Sequence, residues 1–176
     1  MSEKNEQHAK DYHDLSGKEA QEKIGALIKG IHICMMTTVA EDGSMDARPM
    51  AVQGKPFDGT VWFLTRGSSE KVDEVKKDRH VTLSFAEPSD SKYITLKGKA
   101  SVSNDRSKIH DLWNAMYKAW FPKGEDDPDI AVMRVDVTEG DYWEASSSKV
   151  LFYAKYAVAA VSGGSVPVGE SGHVTV

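Results

Sequence analysis

Arg48, Thr65, Ser68, Ser69 and Lys71 are the residues of this chain whose types and spacing suit a phosphate. The Arg48 guanidinium offers a planar fork of donors for two oxygens, and the Lys71 ammonium offers a point charge. The turn Thr65-Arg66-Gly67-Ser68-Ser69 adds hydroxyls and backbone N–H groups just ahead of an expected helix start, where an anion is favoured. The apolar run Val61-Trp62-Phe63-Leu64 leads into that turn, so a ligand with an apolar ring and a phosphate would suit the stretch. The same residues also read as a surface arginine, a serine N-cap and a solvated lysine, and residue types alone leave both readings open.

Other chemistries find less support. His8, His13, His32, His80, His110 and His173 are scattered without ligand spacing, so no metal site is expected. Asp126-Asp127-Pro128-Asp129 lacks the alternation and closing glutamate of a calcium loop and reads as a solvated acidic loop. Cys34 is the single cysteine, lies in an apolar run and has no neighbouring base. No Gly-x-Ser-x-Gly elbow, Gly-x-Gly-x-x-Gly fingerprint or Walker A loop occurs. Trp62, Trp113, Trp120 and Trp143 fill core niches or wall a planar ring, and position alone does not choose.

The elements that must position the phosphate-type residues follow from periodicity. Residues 16–29 form a helix with Ser16 and Glu19 as a capping box, Ala20, Ile24, Leu27 and Ile28 on one face, and Gly30 as the stop. Residues 31–40, 45–53 and 60–65 then read as a three-strand antiparallel meander with turns at Asp42-Gly43 and Asp58-Gly59. If the second and third of these strands pair, Arg48 and Thr65 face one site. Residues 70–77 form a short helix, and 81–86 and 93–102 form strands, with Gly98 as a bulge or bend. Residues 106–120 are expected as one long helix, and 130–137 and 141–145 as two closing strands. Residues 150–161 fit strand or helix. Strands bending at glycine within an antiparallel set point to a β-barrel with peripheral helices, a mainly β fold.

The chain has 176 residues, enough for one domain with a real core. The expected organisation is a disordered lead-in over 1–15, one domain over 16–161 and a loose tail over 162–176. A net charge of −5 with interspersed signs argues against a nucleic-acid or membrane-surface partner. No apolar run approaches the ~20 residues of a membrane span. With the lone cysteine and a polar N-terminus, this leads to the expectation of a cytoplasmic protein.

Taken in order, Arg48-Pro49-Met50, Trp62-Phe63-Leu64-Thr65, Ser69-Glu70-Lys71, Tyr93 with Gly98-Lys99-Ala100, and Tyr142-Trp143-Glu144 form a pattern. It resembles the FMN-binding split β-barrel of the pyridoxamine 5′-phosphate oxidase superfamily. Leu112-Trp113, Trp120-Phe121-Pro122 and Asp127-Pro128 look like its bacterial general stress protein branch. The resemblance implies a homodimer with two FMN molecules at the subunit interface. It implies that Arg48, Thr65, Ser69 and Lys71 hold the phosphate, and that Arg48, Pro49, Met50, Ala51 and Val52 run beside the isoalloxazine ring. Leu64 would lie near the flavin, and Tyr93 and Trp143 would come from the partner subunit. Tyr93 stands where the true oxidases carry glutamine. After Trp143, the run Glu144-Ala145-Ser146-Ser147-Ser148-Lys149 has no arginine, and the oxidases' Tyr and Arg substrate clamp is not visible. The expectation is therefore an FMN-dependent oxidoreductase of the general stress type, with a substrate other than pyridoxamine 5′-phosphate and no catalytic acid or base named. The alternatives are a flavin store or redox sensor without turnover, or the same barrel with a deazaflavin or haem.

Overall fold

The computed structural model describes residues 12–145 and 169–176. The elements are β1 (Tyr12–Ser16), α1 (Gly17–Ile28), β2 (Ile33–Val39), β3 (Met45–Ala51), β4 (Thr60–Arg66), α2 (Glu70–Lys77), β5 (His80–Glu87), β6 (Lys92–Ser103), α3 (Arg106–Leu112), β7 (Ile130–Glu144) and β8 (Glu170–Thr175). Short 3-10 turns cover Pro88–Asp90 and Ala115–Ala119.

The strands form one open sheet in the order β1-β8-β7-β6-β5-β2-β3, with β4 pairing β7 off that path. β1 and β8 run parallel, and every other pair is antiparallel. β7 is the spine. Its first half pairs β4, its second half pairs β8, and β6 runs along its other side. The sheet bends where Lys97 pairs Glu139 but Gly98 pairs Val137, leaving Thr138 as the extra residue. Gly98 fits the bulge because a Cβ there would sit 2.3 Å from the Asp136 carbonyl oxygen. The bend expected at Gly98 is thus present.

Two apolar clusters result. Strand alternation turns Cys34, Met36, Val61, Phe63, Leu83, Ile94, Leu96, Met133 and Val135 into the barrel interior, which α1 closes with Ala20, Ile24 and Leu27. The second lies outside the barrel wall, where Leu64, Ile130 and Val132 pack against Ile109, Leu112, Tyr117 and Phe121.

Six local expectations change. β3 and β4 do not pair; β4 crosses to β7, so the meander stops at the β2–β3 hairpin. The reason lies in long-range burial. β4 presents Val61 and Phe63 to the interior and Leu64 to the outer cluster, and β7 supplies partners for both faces. The helix over 106–120 is α3 followed by a 3-10 turn. Trp113 and Asn114 are extended between them, and the Asn114 side chain accepts from the Met116 N–H to start the new turn. The two closing strands are the single strand β7, because the break expected at Glu139-Gly140 is absorbed by the bulge. Ser16 ends β1 and makes no side-chain cap bond; Gly17, at φ +57°, turns the chain into α1. Finally, 170–175 within the expected tail is β8, inserted between β1 and β7. Its small residues, which look loose in sequence, are what the site requires. A Cβ on Gly172 would lie 2.3 Å from the His13 carbonyl oxygen and 2.8 Å from the Tyr142 ring. The lead-in likewise includes β1 at its end. Residues 150–161 lie outside the described residues.

Candidate functional site at the split

Because β3 and β4 are not hydrogen-bonded to each other, the sheet is split between them, and side chains of α2 reach both strands. The sequence builds α2 there by simple means. Ser69 is extended and ends the turn after β4. Glu70 and Asp73 stand in the first turn and Lys76 and Lys77 in the last, the arrangement a helix dipole favours. Val72 and Val75 dock the helix on the barrel. Lys71 and Glu74, three residues apart, share a neighbouring face.

That face reaches both sides of the opening. The Lys71 ammonium donates to the Thr65 hydroxyl on β4 at 3.2 Å. The Glu74 carboxylate accepts from Arg48 Nη2 on β3 at 2.9 Å. Thr38 on β2, fully buried, donates to Glu74 Oε2 at 2.5 Å and accepts from Arg48 Nη1. Asp46 stands 4.0 Å from the guanidinium. Burial first, and then repulsion by Arg48, hold the Lys71 ammonium below the usual lysine pKa, although Glu74 pulls the other way. Two cations therefore sit close together over one well-buried carboxylate, Glu74, with the more exposed Asp46 at the edge of the cluster.

The structure thus brings together Arg48, Thr65 and Lys71. It treats the serines differently. The Ser69 hydroxyl donates to the Arg66 carbonyl at 2.7 Å. Ser68 gives its N–H and hydroxyl to the Asp129 carboxylate, each at 2.9 Å, and the Gly67 N–H donates to the Asp129 carbonyl at 2.6 Å. Part of the turn's donor set is therefore already occupied by a residue of the acidic loop, and Asp129 is tied down, not solvated.

The remaining expected residues lie outside the Arg48–Thr65–Lys71 cluster. Pro49 faces outward, Met50 is 6% exposed in the barrel core, and Ala51 packs on the outer cluster. The Val52 N–H donates to the His32 carbonyl at 2.9 Å. Leu64 is buried in the outer cluster. Next to it Trp62 is half-buried, packs on the outer cluster and has the Lys108 ammonium 4.2 Å from its ring centroid. Gln53 donates to the Tyr117 hydroxyl and ties the end of β3 to the 3-10 turn. Tyr93 and Trp143 are direct cross-strand partners, 47% and 51% exposed, on the outer sheet face and outside the Arg48–Lys71 cluster.

Sequence reasoning missed Thr38, Glu74 and Asp129. The spacing of Glu74 from Lys71 was a usable signal; nothing local marks Thr38 or Asp129, because their partners are distant in the chain.

Comparison with known proteins agrees with this architecture. The family described as pyridoxamine 5′-phosphate oxidase like matches residues 19–167. Protein bli-3 of Neurospora crassa is 30% identical over 118 residues, 61% of this chain and 56% of that protein. The chain thus spans little more than half the length of this curated relative. Among solved structures, one named general stress protein 26, from Jannaschia sp. CCS1, superposes with a TM-score of 0.74 at 20% identity, over 88% of this chain and 97% of its own, a likeness of fold. A general stress FMN/FAD binding protein from Xanthomonas citri is 28% identical with a TM-score of 0.64, over 75% of this chain and 93% of its own. With a split barrel in the structure and a family match over most of its length, the chain belongs to the pyridoxamine 5′-phosphate oxidase-like family.

Proposed function

We propose that this protein binds FMN, with the phosphate at the Arg48–Thr65–Lys71 end of the split and the ring along β3. The observation that carries this reading is the convergence of a guanidinium, an ammonium and a buried hydroxyl from three elements on one opening. The donor set fits a phosphate monoester: Arg48 supplies a fork, Lys71 a point charge, and both are partly desolvated. Ser69 would join by releasing the Arg66 carbonyl, which now accepts from its N–H at 3.2 Å and its hydroxyl at 2.7 Å. The backbone from Arg48 to Val52, with Met50 and Leu64, would border the ring. The name of the Xanthomonas citri neighbour, FMN/FAD binding, supports the flavin class.

The bound flavin would supply the redox chemistry, and this chain's residues bind it, orient it and exclude water from it. The proposed activity is that of a flavin-dependent oxidoreductase acting on a small molecule other than pyridoxamine 5′-phosphate. A second reading, a flavin store or sensor without turnover, is favoured by one feature: no arginine follows Trp143 through Lys149 to clamp a phosphorylated substrate.

The sites are proposed to be completed by a second copy. The outer sheet face presents Ile33, Met35, Tyr93, Trp143 and Tyr12, and Trp143 pairs Tyr93 on one side and Ser171 on the other. Such an apolar face on a charged protein suits a self-complementary contact. A reducing compartment such as the cytoplasm suits the buried Cys34, whose thiol burial pushes up to about 12. Among the described residues no helix is long and apolar enough to cross a membrane.

The test is to purify the protein and identify its ligand. Flavin absorbance, FMN by mass spectrometry near one per chain, and a dimer by light scattering are expected. A deazaflavin or haem in the released ligand would move the cofactor assignment. A colourless protein that takes up no added FMN would refute it. Reduction of the bound flavin by NAD(P)H and reoxidation by an acceptor separates the enzyme from the store.

A further inference from the structure

Glu74 places a carboxylate beside the very arginine expected to meet a phosphate. A carboxylate there repels an anion, so a cost in affinity would follow unless the residue did something else. Its geometry shows what else it does. Glu74 and Thr38 engage Nη2 and Nη1 of Arg48 from one side, and Thr38 also donates to Glu74, which closes a three-membered network. Two contacts on a planar guanidinium fix its plane as well as its position. The Glu74 side chain is 10% exposed and that of Arg48 is 20% exposed, so neither is free to swing into solvent. Glu74 lies on the same helix face as Lys71, which reaches Thr65 across the opening. The polar face of α2 therefore links β3 and β4, which no backbone ladder joins.

We propose that Glu74 is a positioning residue for the anion end of the site. It orients the Arg48 guanidinium and, by linking β3 to α2, sets the separation at which Arg48 and Lys71 act on one phosphate. The proposal rests on the flavin reading above.

The experiment measures FMN and riboflavin affinities of wild type, E74A, E74Q, R48A and the R48A/E74A pair, with thermal melts of each. Riboflavin lacks the phosphate and reports the ring site alone. E74A weakens FMN by about tenfold. It leaves riboflavin unchanged. E74Q, which keeps the length and an acceptor for Arg48, recovers part of the loss; if E74A does not fold, E74Q carries the same FMN-against-riboflavin comparison. In the R48A background E74A has little further effect, because its action passes through Arg48. Unchanged or tighter FMN binding in E74A would overturn the proposal and leave Glu74 as a repulsive neighbour. Equal losses for FMN and riboflavin, or additive losses in the pair, would overturn it as well. Failure of the flavin reading looks different: wild type itself then binds neither compound, and Glu74 has no anion site to position.

Discussion

Two clusters in this fold set a lysine beside carboxylates and shift it in opposite directions. At the split, Arg48 and Lys71 face one closely engaged carboxylate, Glu74. At the seam where α1 meets β7 and β8, Lys23 stands between Glu144 at 3.1 Å and Glu170 at 2.9 Å. There the Tyr142 hydroxyl donates to Glu170 at 2.8 Å, and the Lys23 ammonium sits 4.8 Å from the Tyr142 ring centroid. Burial pulls both lysines toward a lower pKa. At Lys23 the hydrogen bonds to Glu170 and Glu144 outweigh burial, and the pKa ends above the usual value. At Lys71 burial and Arg48 win, and it ends below. A buried lysine with more than enough carboxylate is an internal brace. One that shares its carboxylate with a second cation is poised for an anion from outside.

The sharpest way to break this contrast is Tyr142→Ala. It removes a fully buried ring and leaves Glu170 without its hydroxyl donor. The cost expected is about 3–5 kcal/mol of stability, read from denaturant unfolding. The folded fraction keeps its FMN affinity; a parallel loss of binding would mean that the seam and the split are one unit. Lys23→Met is milder, about 1–3 kcal/mol, because it leaves Glu144 and Glu170 facing each other without their cation. Lys71→Met should do the reverse. FMN binding weakens by about 1–3 kcal/mol while the melting temperature holds or rises, since a desolvated ammonium is removed. Arg48→Ala should weaken FMN by a similar amount, but with some loss of stability, because Glu74 and Thr38 lose a shared partner. A Lys71 variant that lowers the melting temperature and leaves FMN affinity unchanged would invert the comparison.

The smallest effect is the pH dependence that the seam contributes. The hydrogen bond from Lys23 holds the Glu170 carboxyl below its ordinary value of 4.5. A carboxyl depressed in the folded state stabilises that state above its unfolded value. The contribution fades as pH falls from the unfolded through the folded value. Lys23 has the opposite sign: its stabilisation is present below the ordinary lysine value of 10.5 and is lost as pH rises through its raised folded value. Unfolding followed from pH 7 to pH 3 should lose stability below about 4.5, and Lys23→Met should shallow that slope. An unchanged slope in the variant would detach Glu170 from Lys23.

Much of the scaffold was legible because strands and helices announce themselves over a few residues. The turn at Asp42-Gly43, the Gly98 bulge and the short helix over 70–77 are local signals, and each appears in the fold. The errors share a cause. β4 was assigned to its chain neighbour although both its faces needed β7, and β8 looked like a tail because its small residues have meaning only against His13 and Tyr142. The helix that breaks at Trp113 and Asn114 kept its apolar spacing, so only packing of Tyr117 and Phe121 against Leu64 revealed the break. For the site, Arg48, Thr65 and Lys71 were visible as types suited to phosphate. Glu74 showed only in its spacing from Lys71 and Thr38 not at all, since a buried network is defined by partners 10 to 36 residues away.

By itself, then, the sequence determined which residues could meet an anion, where most strands and helices begin and end, and a pattern resembling a split barrel. Those depend on side-chain chemistry and on periods of two and 3.6 residues, which a short window contains. The tertiary structure alone decided that β3 and β4 stay apart, that side chains of α2 reach both, and that Asp129 ties down Gly67 and Ser68. Each of those joins segments remote in the chain, and such contacts are selected by burial and charge balance in the assembled fold, which no local stretch encodes.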